Sequence, residues 1–211
     1  MPPDNTLRTT THATKHPLLK KAYSFHSQSL QPAMTVTPLA FRPATAEDAA
    51  AVLALVRSAY RGDSSRAGWT TEADLVADER IDTDGILAKI NHPSGVVLVA
   101  HDSAGKLAGC CELLQKDGDL AYFGLFAVDP TRQAGGLGRS ILAHAEQYAK
   151  TAWGVRCIEM CVIWTREELI SWYVRRGYRK TDRTLPFPYA HLVNGKALRD
   201  DLYFTVLDKE L

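Results

Sequence analysis

The stretch VDPTRQAGGLGRSIL, residues 128–142, sets Gln133, Gly136 and Gly138 on a bend between an apolar run and a helical pattern. Glycines at such a bend let the backbone approach a ligand with no Cβ in the way, and they allow several N–H groups to point in one direction. The start of the following helix adds the positive end of its dipole, so the corner favours an anionic group such as a pyrophosphate. Three readings compete. A Walker loop needs a lysine after its last glycine, and Arg139 stands there instead. A dinucleotide fingerprint needs a third glycine at position 141, which is Ile141, and no run of βα units follows the N-terminal strand. A glycine-rich turn without any ligand is the third reading.

The elements that must position this corner can be read from periodicity and punctuation. LAFRPA reads as a first strand. Thr45 reads as the cap of a helix whose apolar face is Val52, Leu53, Val56 and Tyr60. RGDSSRAGW reads as a loop, TTEADLV as a short helix capped by Thr71, and Ile86 to Ile90 as a helical turn ending at NHPSG. VVLVAHD and KLAGCCELLQ read as two strands around Gly105, and LAYFGLFAV as the central strand. After the glycines, a long helix from about Gly136 to Ala152 carries Ile141, Ala145, Tyr148 and Ala152 on one stripe. RCIEMCVI is the next strand. Thr165 and Glu168 read as a capping box for REELISWYVRR, which Gly177 ends, and DLYFTVLD is the last strand. Strands interleaved with helices predict a single α/β or α+β domain over residues 39–211.

Composition narrows the class. The chain has 211 residues, 45% of them hydrophobic, and a formal net charge of +1. Neither nucleic acid nor a membrane surface is supported as a partner by such a balance, and no run is long and apolar enough to span a bilayer. Cys110 and Cys111 are adjacent and Cys157 and Cys161 lie four apart, spacings of neither a zinc knuckle nor a redox pair. They read as reduced, core-packed thiols of a cytoplasmic protein, with no metal. Residues 1–38 are rich in Ser, Thr and Pro, basic, and hold the single acid Asp4. They read as a disordered extension, with Met34 as an alternative start. The same composition is that of a mitochondrial transit peptide, but no Arg-rich amphipathic helix stands out.

Taken whole, VDPTRQAGGLG is V-x-P-x-x-Q-x-x-G-x-G directly after an apolar strand and directly before a helix. It resembles the acetyl-CoA motif of the GNAT superfamily, the acyl-CoA-dependent N-acetyltransferases. ELISWYVRRGYRK resembles a second element of that family, a helix and the start of a strand, and the order of elements fits over about residues 39–207. The resemblance implies a GNAT-type fold, a central, mixed, mostly antiparallel sheet flanked by helices. It implies that the pyrophosphate of coenzyme A is bound by the backbone of Gln133, Ala134, Gly135, Gly136, Leu137 and Gly138, with Arg139 beside them. It also implies that the preceding strand bulges and parts from its neighbour, so that Phe126, Ala127 and Val128 pair with the pantetheine arm.

The chemistry implied is direct attack of a neutral amine on acetyl-CoA in a ternary complex. Tyr173 would be the general acid to the sulfur, and an N–H near Ala127 or Val128 would hold the developing oxyanion. Tyr122 stands where histone-type members place a glutamate, which argues against a histone substrate. Tyr122 and Glu112 are candidate catalytic residues, and Glu159 is an alternative base. Each carboxylate has a competing role as an ordinary paired strand residue, and His144 reads as a packing residue. Trp69, Phe187 and Tyr189 are candidate walls of an acceptor pocket. Asp63 or Glu72 would attract a cationic amine, whereas Arg61 and Arg66 would attract a carboxylate or phosphate. A small-molecule amine is the expected acceptor. A protein N-terminus or lysine, or acyl-CoA sensing without turnover, are the alternatives, and a homodimer is left open.

Overall fold

The computed structural model describes residues 38–211. The expected extension therefore falls outside the described residues, Pro38 apart. The elements are β1 (Ala40–Pro43), α1 (Ala49–Tyr60), α2 (Gly62–Ser65), β2 (Val76–Ala77), α3 (Thr83–Ile90), β3 (Gly95–His101) and β4 (Leu107–Gln115). They continue with β5 (Leu120–Val128), α4 (Leu137–Trp153), β6 (Cys157–Ile163), α5 (Glu167–Val174), β7 (Arg179–Pro186), β8 (Lys196–Ala197) and β9 (Tyr203–Glu210). Seven strands form one sheet in the order β1-β3-β4-β5-β6-β9-β7. Its single parallel pair is β5 with β6, joined by α4 as a crossover.

Alternation along the strands divides the core between two faces. Leu98, Cys111, Leu113 and Phe123 pack with Leu137, Ile141, Leu142, Ala145 and Ala149 of α4. Val97, Val99 and Cys110 face the other way, onto Val52, Leu55 and Val56 of α1 and Ile86 of α3. The adjacent cysteines thus belong to opposite faces, and burial pushes the Cys110 thiol up to about 12. All four cysteines are free, with Cys157 and Cys161 only half-buried. His144 stacks on Phe41 with ring centroids 3.9 Å apart.

Three local expectations are corrected. TTEADLV forms no helix. Thr71 Oγ1 accepts from Ala73 N at 3.1 Å, and the amides of Leu75 and Val76 both turn back to the Glu72 carbonyl, because the Glu72 side chain is drawn into a buried ion-pair cluster. The box at Thr165 and Glu168 does not form either. Arg166 precedes the first turn of α5, and Thr165 Oγ1 is buried without a hydrogen-bond partner among the described residues. On α4 the buried stripe runs through Leu137, Ile141, Ala145 and Ala149, while Ala152 is exposed. The two-stranded β2–β8 pair was not anticipated; β7, whose start the resemblance of ELISWYVRRGYRK implied, is a polar edge strand, without the apolar alternation that marks a buried one.

The feature that prepares the site lies in β5. Its register with β4 slips between Cys110 and Glu112, and Leu125 takes the left-handed φ of 45°. That bulge reverses the alternation. Ala121 and Phe123 face α4, yet Leu125 and Ala127 face α1, so Phe126 and Val128 turn to the α4 side. β6 pairs with β5 only as far as Tyr122 opposite Glu159. Beyond that point the strands part, while β6 remains bonded to β9 as far as Ile163.

Candidate active site

Two cavities open into the gap where β5 and β6 part. The first, of about 230 Å³, runs from Phe126 and Val128 past Gln133, Gly136, Gly138 and Arg139 to Trp172, Tyr173 and Arg176 on and beyond α5. The second, of about 360 Å³, lies against Gly124 to Phe126 of β5, Met160 to Ile163 of β6, and Leu185, Pro186 and Phe204. Tyr60, Phe126, Arg166, Leu169 and Tyr173 line both. Tyr173 therefore stands where the two meet.

The glycine corner is a short turn that follows β5 and leads into α4. Asp129 accepts from Thr131 N and starts a 3-10 turn over Pro130–Gly135. Within that turn the Arg132 amide donates to the Asp129 carbonyl. The first turn of α4 leaves the amides of Gly136, Leu137, Gly138 and Arg139 without an acceptor in the helix. Gly136 has φ of 76°, and a Cβ built there or at Gly135 would meet nothing within 4 Å. A Cβ at Gly138 would face Phe126, Trp172 and Val128 at 3.5–3.8 Å, across the first cavity. Leu137 is buried beneath and anchors the corner to the core. Arg139 and Arg176 line the same cavity. Burial, then Arg175 and Arg139, lower Arg176 from the usual guanidinium value. A phosphate group suits that concentration of positive charge and open amides.

The Gln133 side chain has a task that spacing did not reveal. Its Oε1 accepts from Trp69 N at 3.0 Å and its Nε2 donates to Thr70 Oγ1 at 2.9 Å, tying the loop after α2 to the glycine corner. Gly68 permits this approach, since a Cβ there would lie 2.5 Å from Oε1.

Along β5, Asp129 N donates to Ala108 O, so Ala127, two residues before it and opposite Cys110, also turns its backbone to β4. Ala127 is thereby corrected as a partner for a ligand. The groups of Val128 and Phe126 face the gap, and Phe126 O already accepts from Tyr60 Oη at 2.7 Å.

Tyr173 is 4% exposed, wedged against Trp172 and Tyr178 with ring centroids at 5.0 and 5.6 Å. Burial raises its hydroxyl well above the ordinary phenol value, so it keeps its proton at any physiological pH. Tyr122 lines the second cavity, and burial raises it likewise. The proposed carboxylate bases are both committed elsewhere. Glu112 is clasped by Lys89 Nζ at 2.9 and 2.7 Å and lines neither cavity, and Glu159 pairs with Arg183 at 2.8 Å.

The expected acceptor walls are also corrected. Trp69 borders the first cavity rather than the second. Phe187 is buried in a satellite core with Val76, Ile163 and Leu202, and Tyr189 Oη accepts from Leu202 N at 2.7 Å. Asp63 lies at the surface beside Arg66. Glu72 is buried, with Oε1 on Arg166 at 2.6 Å and Oε2 on Arg61 at 2.8 Å. Burial opposes its ionisation, but Arg166, Arg80 and Arg61 outweigh it and lower its pKa. Glu72→Gln should therefore destabilise the fold by roughly 3–5 kcal/mol, because it strands buried guanidinium groups. The stabilisation of the ionised form is complete above the unfolded carboxyl value and disappears as pH falls through the folded one. An unfolding free energy from urea titration within about 1 kcal/mol of the parent's, the worth of a simple hydrogen bond, would contradict this role.

Residues 52–178 match the Acetyltransferase (GNAT) family, and the chain belongs to it. It is an acetyltransferase of a family that uses acetyl-CoA. No curated protein matches the sequence. Solved structures share the fold at low identity. The spermidine N-acetyltransferase from Vibrio cholerae, in complex with CoA and spermine, aligns with TM-score 0.59 at 16% identity, over 82% of this chain and 95% of that one. The IAA acetyltransferase from Bacillus cereus gives 0.57 at 18%, over 82% and 100%. The PaiA N-acetyltransferase from Thermoplasma acidophilum, in complex with coenzyme A, gives 0.58 at 16%, over 82% and 99%.

Proposed function

We propose that this acetyltransferase moves the acetyl group of acetyl-CoA onto the neutral amine of a small molecule, by direct attack with both substrates bound. The observation that carries the reading is the junction of a glycine-cornered cavity and a second, partly apolar cavity at one protonated hydroxyl, that of Tyr173. Acetyl-CoA supplies the thioester carbonyl and the thiol leaving group. The open amides of Gly136 to Arg139, with Arg139 and Arg176, hold its pyrophosphate. The outward groups of Phe126 and Val128 receive the pantetheine amides as an added strand would. An N–H on this open edge steadies the negative charge that develops on the carbonyl oxygen. Tyr173 gives its proton to the departing sulfur and regains one from solvent.

With Glu112 and Glu159 paired and Tyr122 keeping its proton, the amine gives its own proton to water rather than to a side chain. The rate at subsaturating amine should then rise tenfold per pH unit up to the pKa of the amine itself. A plateau near pH 6–7 that did not move with the amine would reveal a carboxylate or histidine base. Thiol release from acetyl-CoA against a panel of amines tests the reaction. Acceptor-dependent release with small amines supports it, whereas release only with peptides, or binding of CoA with no release, overturns it.

A further inference from the structure

We infer that the acceptor carries a carboxylate, and that Arg80 is the residue that receives it. This deepens the proposed transferase reading and rests on it. Four arginines lie around the loop after α1, and three are committed. Arg61 bonds Glu72 at 2.8 Å and Asp78 at 2.5 Å, Arg66 pairs with Asp74 at 2.8 Å, and Arg166 bonds Glu72 and the Thr70 carbonyl. Arg80 makes no hydrogen bond or ion pair with any described residue, and its Nε is buried with no partner. Yet it lines the second cavity, with its guanidinium carbon 5.1 Å from the centre of the Tyr60 ring. Its backbone is held at the left-handed φ of 66°, a conformation that costs a non-glycine residue energy and is kept where the surroundings impose it.

The charges facing the cavity do not cancel. Among the described residues, Arg80 and Arg166 line it against one carboxylate, that of Glu72, both of whose oxygens are already used. A buried guanidinium with no hydrogen-bond acceptor is expensive even with the charge of Glu72 nearby to support it, and a carboxylate matches its planar fork. The far walls are apolar, through Met160, Val162, Leu185 and Phe204. A small amino acid with an apolar side chain meets all three demands: its carboxylate on Arg80, its body on these walls, and its amine toward Tyr173. A polyamine would set cation against cation.

Calorimetry on the CoA-loaded protein reads this without turnover, using N-acetyl-L-leucine and N-acetyl-L-methionine as product-like probes beside their uncharged amides. The carboxylates should bind about 10- to 100-fold more tightly, the worth of a charge-assisted hydrogen bond. Arg80→Gln should erase the difference. Arg80→Gly, which suits the left-handed backbone, should erase it too while CoA still binds. Equal affinity of acid and amide in the parent protein, a preference that survives both substitutions, or tighter binding of N1-acetylspermidine would overturn the assignment. Thiol release with leucine and methionine is scored separately. Its absence with these and with every amine of the panel, alongside an intact, Arg80-dependent preference for the acids, would sink the transferase reading and leave the carboxylate receptor standing.

Discussion

Gly136→Glu is expected to weaken acetyl-CoA binding by about 5- to 1,000-fold. A carboxylate within about 4 Å of a phosphate costs roughly 1–4 kcal/mol across the range from water to a protein surface, and its bulk enters the open space in front of the corner. The left-handed φ of 76° adds a strain of roughly 1–3 kcal/mol that lowers folding stability rather than affinity. Gly136→Ala separates the two effects, since it shares the strain and lacks the charge. The alanine protein should melt earlier but hold acetyl-CoA far more tightly than the glutamate protein, because a methyl group brings neither the charge nor the reach of a glutamate to the ligand. Calorimetric titration of both proteins checks this, and undiminished affinity in the glutamate protein would remove the corner from the donor site.

Tyr173→Phe should lower kcat by about 100- to 10,000-fold, the usual worth of a positioned proton donor, with KM for acetyl-CoA nearly unchanged. The substitution keeps the ring that packs against Trp172 and Tyr178, and the lost hydroxyl makes no hydrogen bond to any described residue, so stability should barely move. That makes the kinetic result readable as chemistry. The hydroxyl stays protonated throughout the working range, so no loss of activity from its ionisation should be seen in alkali below the reach of the amine itself. An unchanged kcat would assign the proton to water.

What the sequence disclosed about this molecule follows the range of the forces involved. The glycine corner and the apolar strands were legible because each depends on neighbours within a few residues, a turn or an alternation, whereas Tyr173 was singled out only through the family resemblance. The bulge at Leu125 was legible only through family resemblance, since nothing in LFAV departs from an ordinary strand. The TTEADLV segment misled because its helical propensity is weak beside the pull of Arg61 and Arg166 on Glu72, the latter 94 residues away. Glu112 and Glu159 read as bases on strand position alone, and their partners Lys89 and Arg183 come from other elements. Arg80 carried no signal at all. Its meaning lies in what the folded chain withholds from it, and the polar edge strand β7, which helps wall the same cavity through Leu185 and Pro186, showed only its start, and that through the resemblance, for want of apolar alternation.

The donor corner is tested most directly by heteronuclear NMR of the amide groups of residues 133–139 as CoA is added. Large shifts and slowed hydrogen exchange at Gly136, Leu137, Gly138 and Arg139, absent with pantetheine lacking the diphosphate, are the predicted result. CoA that binds while those four amides stay unmoved would contradict it.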